Sequence, residues 1–147
     1  NYGAGKKERL IQTIKLSIAY AMALMVAGFL AFQLCPKILL EWFNASETMM
    51  RIGVPALRTI SVSFLLAGFC IICGSVFQAL GNGVYSMIVS IARQLVVLLP
   101  AAYLLARLGN VDYVWWAFPI AELMSLALSA YFLFRIYHKI IKYIGVR

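Results

Sequence analysis

Two charged residues stand inside apolar stretches of this 147-residue chain, and they are the side chains best placed to do chemistry. Glu122 follows Trp116-Ala117-Phe118-Pro119, and Arg93 lies in an otherwise uncharged run. A charged side chain at membrane depth costs about 2.5–3.5 kcal/mol on insertion scales, so such residues often mark ion or substrate pathways. Glu122 is therefore either a cation-binding or proton-coupling acid, or a paired acid that holds helices together. Arg93 either takes part in a transport cycle, snorkels to the interface, or pairs with a neighbouring helix.

The remaining polar side chains are weaker candidates. Gln78, Gln94 and Asn82 carry amides, which near helix ends and between membrane helices commonly serve packing. Cys70-Ile71-Ile72-Cys73 has the spacing of a metal or redox motif, but it lies in the middle of an apolar run, where thiols are buried and inert. His138 lies in a basic tail and is not expected to bind metal. We predict no metal site, no cofactor beyond a coupling ion, and no enzyme, because no nucleophile–base pair or phosphate loop is present.

The composition sets the class of protein. Hydrophobic residues make up 64% of the chain, charged residues 12%, and the mean hydropathy is +0.91. Soluble domains are about 45–50% apolar and about 25% charged, so this is an integral membrane protein in contact with lipid. The net charge of +8 does not indicate nucleic acid, because the basic residues fall mostly at the ends of apolar runs.

The apolar runs predict an all-α fold, a polytopic transmembrane helix bundle with four antiparallel spanning helices in a single membrane domain. The spans are expected at about residues 14–35, 57–80, 84–107 and 113–137, because each run covers a hydrocarbon core about 30 Å thick. Pro36 ends the first helix, and Gly81-Asn82-Gly83 supplies a tight turn between the second and third. Residues 37–55 form an amphipathic connector at the interface, with Ser46 capping a helix that begins near Met50.

Small residues recur at every fourth position on two of these helices. The two sets are Ala19, Ala23, Ala27 and Ala31 on the first, and Ala117, Ala121, Ser125 and Ser129 on the fourth. Small residues matter in lipid because they let helix backbones approach closely. Both faces are therefore predicted to pack against other helices.

The depth of the two intramembrane charges predicts that they meet. The third helix enters the membrane near Val84, and Arg93 lies nine residues further along it. The fourth helix enters from the opposite side near Tyr113, and Glu122 lies nine residues further along that helix. Each is therefore about 13 Å deep, which puts both near the same level of a core about 30 Å thick. We expect direct or water-bridged pairing, because opposite charges at equal depth lower each other's cost.

The basic residues predict the orientation. The N-terminal lead-in has four and the C-terminal tail has four, against four on the other side. They are Lys6, Lys7, Arg9 and Lys15; Arg135, Lys139, Lys142 and Arg147; and Lys37, Arg51, Arg58 and Arg107. The positive-inside rule then predicts a multi-pass protein of the inner (cytoplasmic) membrane. Both ends and the Gly81 turn are expected to be cytoplasmic.

Several motifs in fixed order resemble the second half of a lobe in the multidrug and toxic compound extrusion (MATE) transporters. They are Asn1-Tyr2-Gly3-Ala4-Gly5 before the basic lead-in, Pro36, Phe77-Gln78-Ala79-Leu80-Gly81, Arg93-Gln94 with Leu99-Pro100, and Trp116-Ala117-Phe118-Pro119-Ile120-Ala121-Glu122. The resemblance covers essentially the whole chain. It implies helices nine to twelve of a twelve-helix protein whose two six-helix lobes enclose a central cavity, with the N-terminal eight helices as missing partners.

The resemblance also implies an activity: export of cationic, amphipathic small molecules in exchange for Na⁺ or H⁺, with several coupling acids in the missing segments. Gln78, Arg93, Gln94 and Glu122 are the transport or coupling candidates that this chain carries. Because the chain opens on a glycine-rich loop without Met, we expect a C-terminal fragment.

Two alternative functions stay open. One is a lipid-linked oligosaccharide flippase of related fold, whose cavity would need several cations for a pyrophosphate. The other is a small self-contained four-helix exporter acting as a dimer.

Overall fold

The structure, a computed structural model, describes residues 1–145 as helices joined by short turns, with no strand in that range. Arg147, counted above among the basic residues, lies outside the described residues. In chain order the elements are α1 (Lys7–Leu34), α2 (Pro36–Glu41), α3 (Glu47–Ser61), α4 (Phe64–Ala79), α5 (Gly83–Ile91), a π-helical segment (Ala92–Leu98), α6 (Leu99–Ala106), α7 (Val111–Val114), α8 (Ala117–Lys139) and a 3₁₀ turn (Ile141–Tyr143). The predicted all-α fold is confirmed.

Three stretches of the described chain are long and apolar enough to cross a membrane. They are α1, the run Gly83–Ala106 and the run Val111–Tyr143. Helices α3 and α4 pass the same test together, although they are bent by 54° at their junction. If this bent pair is one span, the described chain has the four spans that the sequence predicts.

The predicted second helix, residues 57–80, is not continuous, and this is a correction. The helix is interrupted at Val62–Ser63. Here serine hydroxyl groups donate hydrogen bonds to carbonyl oxygens of the preceding turn. Ser61 Oγ donates to the Arg58 carbonyl at 2.9 Å, and Ser63 Oγ donates to the Ile60 carbonyl at 2.6 Å. Serines that bond back to the helix in this way bend it.

The connector is also more helical than predicted. Ser46 caps α3 as expected, since its Oγ accepts from the Met49 N–H at 3.2 Å. The helix begins at Glu47 rather than near Met50, and it continues through Pro55. The predicted connector, residues 37–55, therefore extends too far, because its second part already belongs to α3. Pro55 lies inside this helix and does not end it.

The predicted breaks at Pro36 and at the glycine turn are confirmed. Helix α1 ends at Leu34, and Pro36 is the first residue of α2. A backbone N–H at that position makes no hydrogen bond within the helix, so proline costs none there. After α4, Gly81 adopts φ +77°, and the Asn82 N–H bonds to the Phe77 carbonyl at 2.7 Å. This is a Schellman end, and glycine suits its left-handed position because it has no Cβ.

Helix α1 packs on α4 through a face that does not include its alanine stripe. Gly68 of α4 makes the closest approach: a Cβ there would lie 3.1 Å from Met22 Sδ and from Met25 Cγ. All four of Ala19, Ala23, Ala27 and Ala31 are exposed. The face of α1 with Met22 and Met25 packs on α4 instead. No helix within residues 1–145 covers the alanines, so their packing against another helix stays a prediction.

The small-residue face of α8 is confirmed, since Ala117, Ala121, Ser125 and Ser129 are all buried. At the other end of α8, Phe132 and Ile136 join a core with Phe77. Tyr85 of α5 stacks on Phe132 with ring centroids 4.4 Å apart, which fixes α5 against α8. This apolar cluster therefore positions the polar groups that lie further along the same helices.

The two chain ends lie together. Lys7 Nζ donates to the Lys142 carbonyl at 3.1 Å, although the residues are 135 positions apart. Leu10, Ile14 and Ile144 pack against the core cluster that contains Leu80. Both ends and the Gly81 turn are therefore at the same end of the bundle.

Candidate functional site

Arg93 lies in the π-helical segment Ala92–Leu98, in the middle of the third apolar run. The Leu99 N–H bonds to the Gln94 carbonyl, five residues back, instead of four. Pro100 follows directly and has no N–H to give, so the regular α ladder is interrupted at this point. Single π turns are frequently found at functional sites, and here the turn carries Arg93.

Glu122 lies on the buried face of α8. Pro119 is the third residue of that helix, where a missing N–H breaks no intrahelical bond, so α8 begins before Glu122 without distortion by the proline. The positions 122, 125 and 129 follow the helical spacing of three and four residues, which puts Ser125 and Ser129 on the same face as the carboxylate. The Glu122 side chain is only 11% exposed.

Arg93 and Glu122 form an ion pair. Arg93 Nη1 donates to Glu122 Oε1 at 3.1 Å, and the Arg93 side chain is 31% exposed. It is the one salt bridge within residues 1–145. The predicted pairing is confirmed, and the depth of the two residues is its physical reason, because each charge lowers the other's cost in a low-dielectric layer.

Three buried oxygen atoms near this pair have no hydrogen-bond partner in the described part of the chain. They are Glu122 Oε2, Ser125 Oγ and Ser129 Oγ. Leaving such a group unsatisfied costs about 1–3 kcal/mol, so native proteins normally give it a partner. Carboxylate and hydroxyl oxygens suit a proton, a hard monovalent cation or water. Ser125 lies about one turn along α8 from Glu122, and Ser129 lies about two turns along it.

A cavity of about 260 Å³ opens beside these groups, between α4, α5 and α8. Its lining is rich in hydroxyl and amide groups and includes Arg93. The polar members are Ser75, Gln78, Ser86, Ser90, Arg93, Ser125 and Ser129. Gln78 Nε2 donates to Ser86 Oγ at 3.1 Å, which ties the wall formed by α4 to the wall formed by α5. The cavity can accommodate a few waters or a small polar group at membrane depth.

The structure brings together some of the predicted site residues and not others. Gln78 and Arg93 line the cavity, and Glu122 pairs with Arg93 without being a lining residue itself. Gln94 is exposed and is not among the lining residues. Asn82 serves the turn, where its side-chain amide donates to the Leu80 carbonyl at 3.0 Å. Cys70 and Cys73 are buried, as predicted.

Two features of the structure go beyond what the sequence predicted, one at the site and one at the break between α3 and α4. Ser125 and Ser129 were interpreted only as small packing residues, although their spacing from Glu122 could have revealed a polar stripe. Gln33 was not singled out, yet its Nε2 donates to the Arg58 carbonyl at 2.7 Å and to Ser61 Oγ at 2.9 Å. No signal in the sequence pairs Gln33 with residues 25 or more positions away.

A family model and a solved structure are similar to this chain. A family model described as MatE matches residues 1–104, a range that includes Arg93 but not Glu122. No curated protein matches the chain. A solved structure, "protein A", is similar over 93% of this chain and 31% of its own, with a TM-score of 0.82 and 33% sequence identity. The chain thus spans about a third of the length of the solved structure that it matches.

Proposed function

The chain belongs to the MatE family, whose members are transporters, and we propose that it is part of a secondary active multidrug efflux transporter. This transporter exchanges cationic, amphipathic compounds for Na⁺ or H⁺. The observation that carries the proposal is the buried carboxylate of Glu122, with one oxygen on Arg93 and the other unpartnered within the described residues. The remaining helices of the longer protein complete the cargo cavity in this proposal.

The chemistry of exchange follows from competition for one negative charge. A proton or Na⁺ arriving at Glu122 neutralises the carboxylate and weakens its contact with Arg93. The uncompensated guanidinium beside the cavity then disfavours a cationic cargo there, so ion binding and cargo binding oppose each other. Opposed binding of two ligands is the coupling free energy that antiport requires.

The cavity supports an exporter over a flippase. A lipid-linked pyrophosphate carries negative charge that several cations would have to balance. The lining of this cavity includes one cation, Arg93, and that residue already faces Glu122. The lining serines and Gln78 suit water and small ions better than a pyrophosphate.

Location and orientation follow from the basic residues. We place the protein in the inner (cytoplasmic) membrane with both ends of this chain cytoplasmic, on the count of Lys and Arg given above. The common location of the two ends in the fold supports this arrangement, because the count assigns both to one side.

The test is transport by the full-length protein with Glu122→Gln, reconstituted into vesicles with an imposed Na⁺ or H⁺ gradient. We expect gradient-driven efflux of a cationic dye to fall at least about tenfold, the cost of losing about 1.4 kcal/mol of coupling. Glu41→Gln is the matched control, because Glu41 is an exposed acid at the end of α2. Unchanged efflux and unchanged ion coupling in Glu122→Gln would leave Glu122 a structural acid and contradict the proposal.

A further inference from the structure

We propose that the end of the bundle where the chain ends meet binds an anionic phospholipid. The headgroup lies against Lys6, Arg9 and Lys139, and an acyl chain lies in the groove between α1 and α4. This site is separate from the cavity beside Arg93, and it does not depend on what the transporter exports.

Cations from both ends of the chain converge at this point. The contact of Lys7 Nζ with the Lys142 carbonyl holds the start of α1 against the turn that follows α8. Two cavities of about 430 and 700 Å³ flank this contact and share Gly5, Ile144 and Gly145 in their walls. The charged residues that line the smaller one are Lys6, Lys7, Glu8 and Arg9, and Lys139 lines the larger one.

Positive charge exceeds negative charge at this site, where Glu8 lines the same cavity as Lys6, Lys7 and Arg9. Glu8 is the one acid in the segment 1–15, and there is none in 131–145. Lys6, Arg9 and Lys139 are exposed, and none has a carboxylate partner within the described residues. Clusters of Lys and Arg at the end of a spanning helix attract anionic headgroups, because the membrane surface there carries the opposite charge.

An apolar groove lies between α1 and α4, and its first lining residue on α1, Leu10, directly follows Arg9 in the sequence. It has a volume of about 190 Å³ and is lined from α1 by Leu10, Thr13, Ile14 and Ser17, and from α4 by Ile72, Ser75, Val76, Ala79 and Leu80. Thr13 Oγ1 donates to the Arg9 carbonyl at 2.8 Å, so Thr13, which lines the groove, lies one turn along α1 from Arg9. From Leu10 to Ser17 it follows α1 for about 10 Å, which suits part of an acyl chain.

The cations and the apolar groove together favour an anionic phospholipid over other ligands. A free phosphate needs only the cations, and a neutral lipid needs only the groove. An anionic phospholipid uses both, because its phosphate lies at the surface and its chains run along the helices. The two features lie in that order along α1.

The first arm of the test measures phosphatidylglycerol binding to the full-length transporter by native mass spectrometry, with phosphatidylcholine as the reference lipid. The variant is Lys6→Gln/Arg9→Gln/Lys139→Gln. The matched control removes three exposed cations from the other end of the bundle: Lys37→Gln/Arg51→Gln/Arg58→Gln. We expect the variant to lose at least tenfold in affinity for phosphatidylglycerol, since each cation contributes about fivefold near an anionic surface, and the control to stay within about twofold of wild type.

The second arm tests the groove with Ala79→Trp. Ala79 is exposed at the end of α4, so the indole fills the groove without entering the core. We expect weaker binding of long-chain phosphatidylglycerol and unchanged binding of the dihexanoyl lipid. Val84→Trp, at an exposed position outside the groove, is the control.

Thermal unfolding gives an independent readout: phosphatidylglycerol should raise the unfolding temperature of wild type and both controls more than that of the variants. Equal loss of binding in the two charge triples would overturn the site, because it would show attraction by overall charge. Equal binding of phosphatidylcholine and phosphatidylglycerol would also overturn it. Displacement of the lipid by inorganic phosphate, with no effect of Ala79→Trp, would assign the cations to free phosphate instead.

Discussion

Glu122 is held asymmetrically, with one carboxylate oxygen on Arg93 and the other without a hydrogen-bond partner among the described residues. An acid held symmetrically by two donors would be a purely structural group. The asymmetry leaves one oxygen for an exchangeable partner, while the guanidinium keeps the charge tolerable at this depth. Arg93 thus has a structural task whatever its part in transport.

The structural task predicts a specific pattern of stability. Arg93→Leu should destabilise the full-length protein by about 1.5–3 kcal/mol, the range for a hydrogen bond to a charged group, because Glu122 loses its partner. The double variant Arg93→Leu/Glu122→Leu should recover most of that loss, since a buried ion pair can often be replaced by apolar residues of similar volume. Thermal unfolding in detergent measures both. Losses that simply add in the double variant would show that the two residues do not act as a pair.

At the scale of elements, two interruptions shape the bundle: the break between α3 and α4, and the π-helical segment between α5 and α6. The break occurs where Gln33 of α1 bonds to the Arg58 carbonyl and to Ser61. Side chains that take carbonyls out of the helical ladder are a recognised cause of bending. The bend is therefore stabilised by hydrogen bonds from Gln33 of α1 and by those from Ser61 and Ser63 at the bend itself.

Removing these bonds should straighten the break. In Gln33→Leu/Ser61→Ala/Ser63→Ala, spin labels at the exposed positions Thr48 and Ile71 should move apart by about 3 Å if the 54° bend relaxes completely. Pulsed electron spin resonance on the full-length protein measures that distance. Ser75→Ala is the control, because Ser75 Oγ bonds only within its own helix, to the Ile71 carbonyl at 3.2 Å. An unchanged distance would assign the bend to backbone packing alone.

The contact between α1 and α4 gives a second prediction at this scale. Gly68→Leu should destabilise the protein by about 1–3 kcal/mol, because its side chain must enter space held by Met22, Met25 and the Ala21 backbone oxygen. Gly83→Leu should be neutral, since nothing lies within 4 Å of a Cβ at that position. Chemical denaturation or thermal unfolding compares the two. Equal stability of the two variants would mean that α1 and α4 separate easily.

For the whole molecule, the two described chain ends and the Gly81 turn lie together, and the turn at Gly109 lies at the opposite end with α2, α3 and α7. Trp115 lines a small apolar pocket there with Leu40 and Met49. The basic residues predict which end faces the cytoplasm, because membrane insertion retains Lys and Arg on that side.

Cysteine labelling tests the orientation. In a full-length protein with Cys35, Cys70 and Cys73 replaced, Asn82→Cys should react with an impermeant thiol reagent only from the cytoplasmic side. Asn110→Cys should react only from outside. Mass shift after labelling of intact cells and of inverted vesicles measures the two reactions. The reverse pattern would overturn the orientation while leaving the fold unchanged.

Much of the fold was readable from the residues because membranes reward long apolar runs and penalise unpaired backbone groups. The helical class, the end of α1 at Pro36 and the Schellman turn at Gly81 depend on local chemistry that a sequence displays directly. The ion pair was also predictable, since depth along a helix follows from counting residues. Its place beside a polar cavity was not, because that requires the rotation of each helix.

What only the tertiary structure decided depends on contacts between distant segments. The alanine stripe of α1 and the small-residue face of α8 have the same spacing, yet only the second is buried. Gln33 stabilises a bend 25 or more residues away, and Lys7 reaches Lys142. In lipid both faces of a helix are apolar, so hydrophobicity does not say which one turns inward; the shapes of the neighbouring helices do.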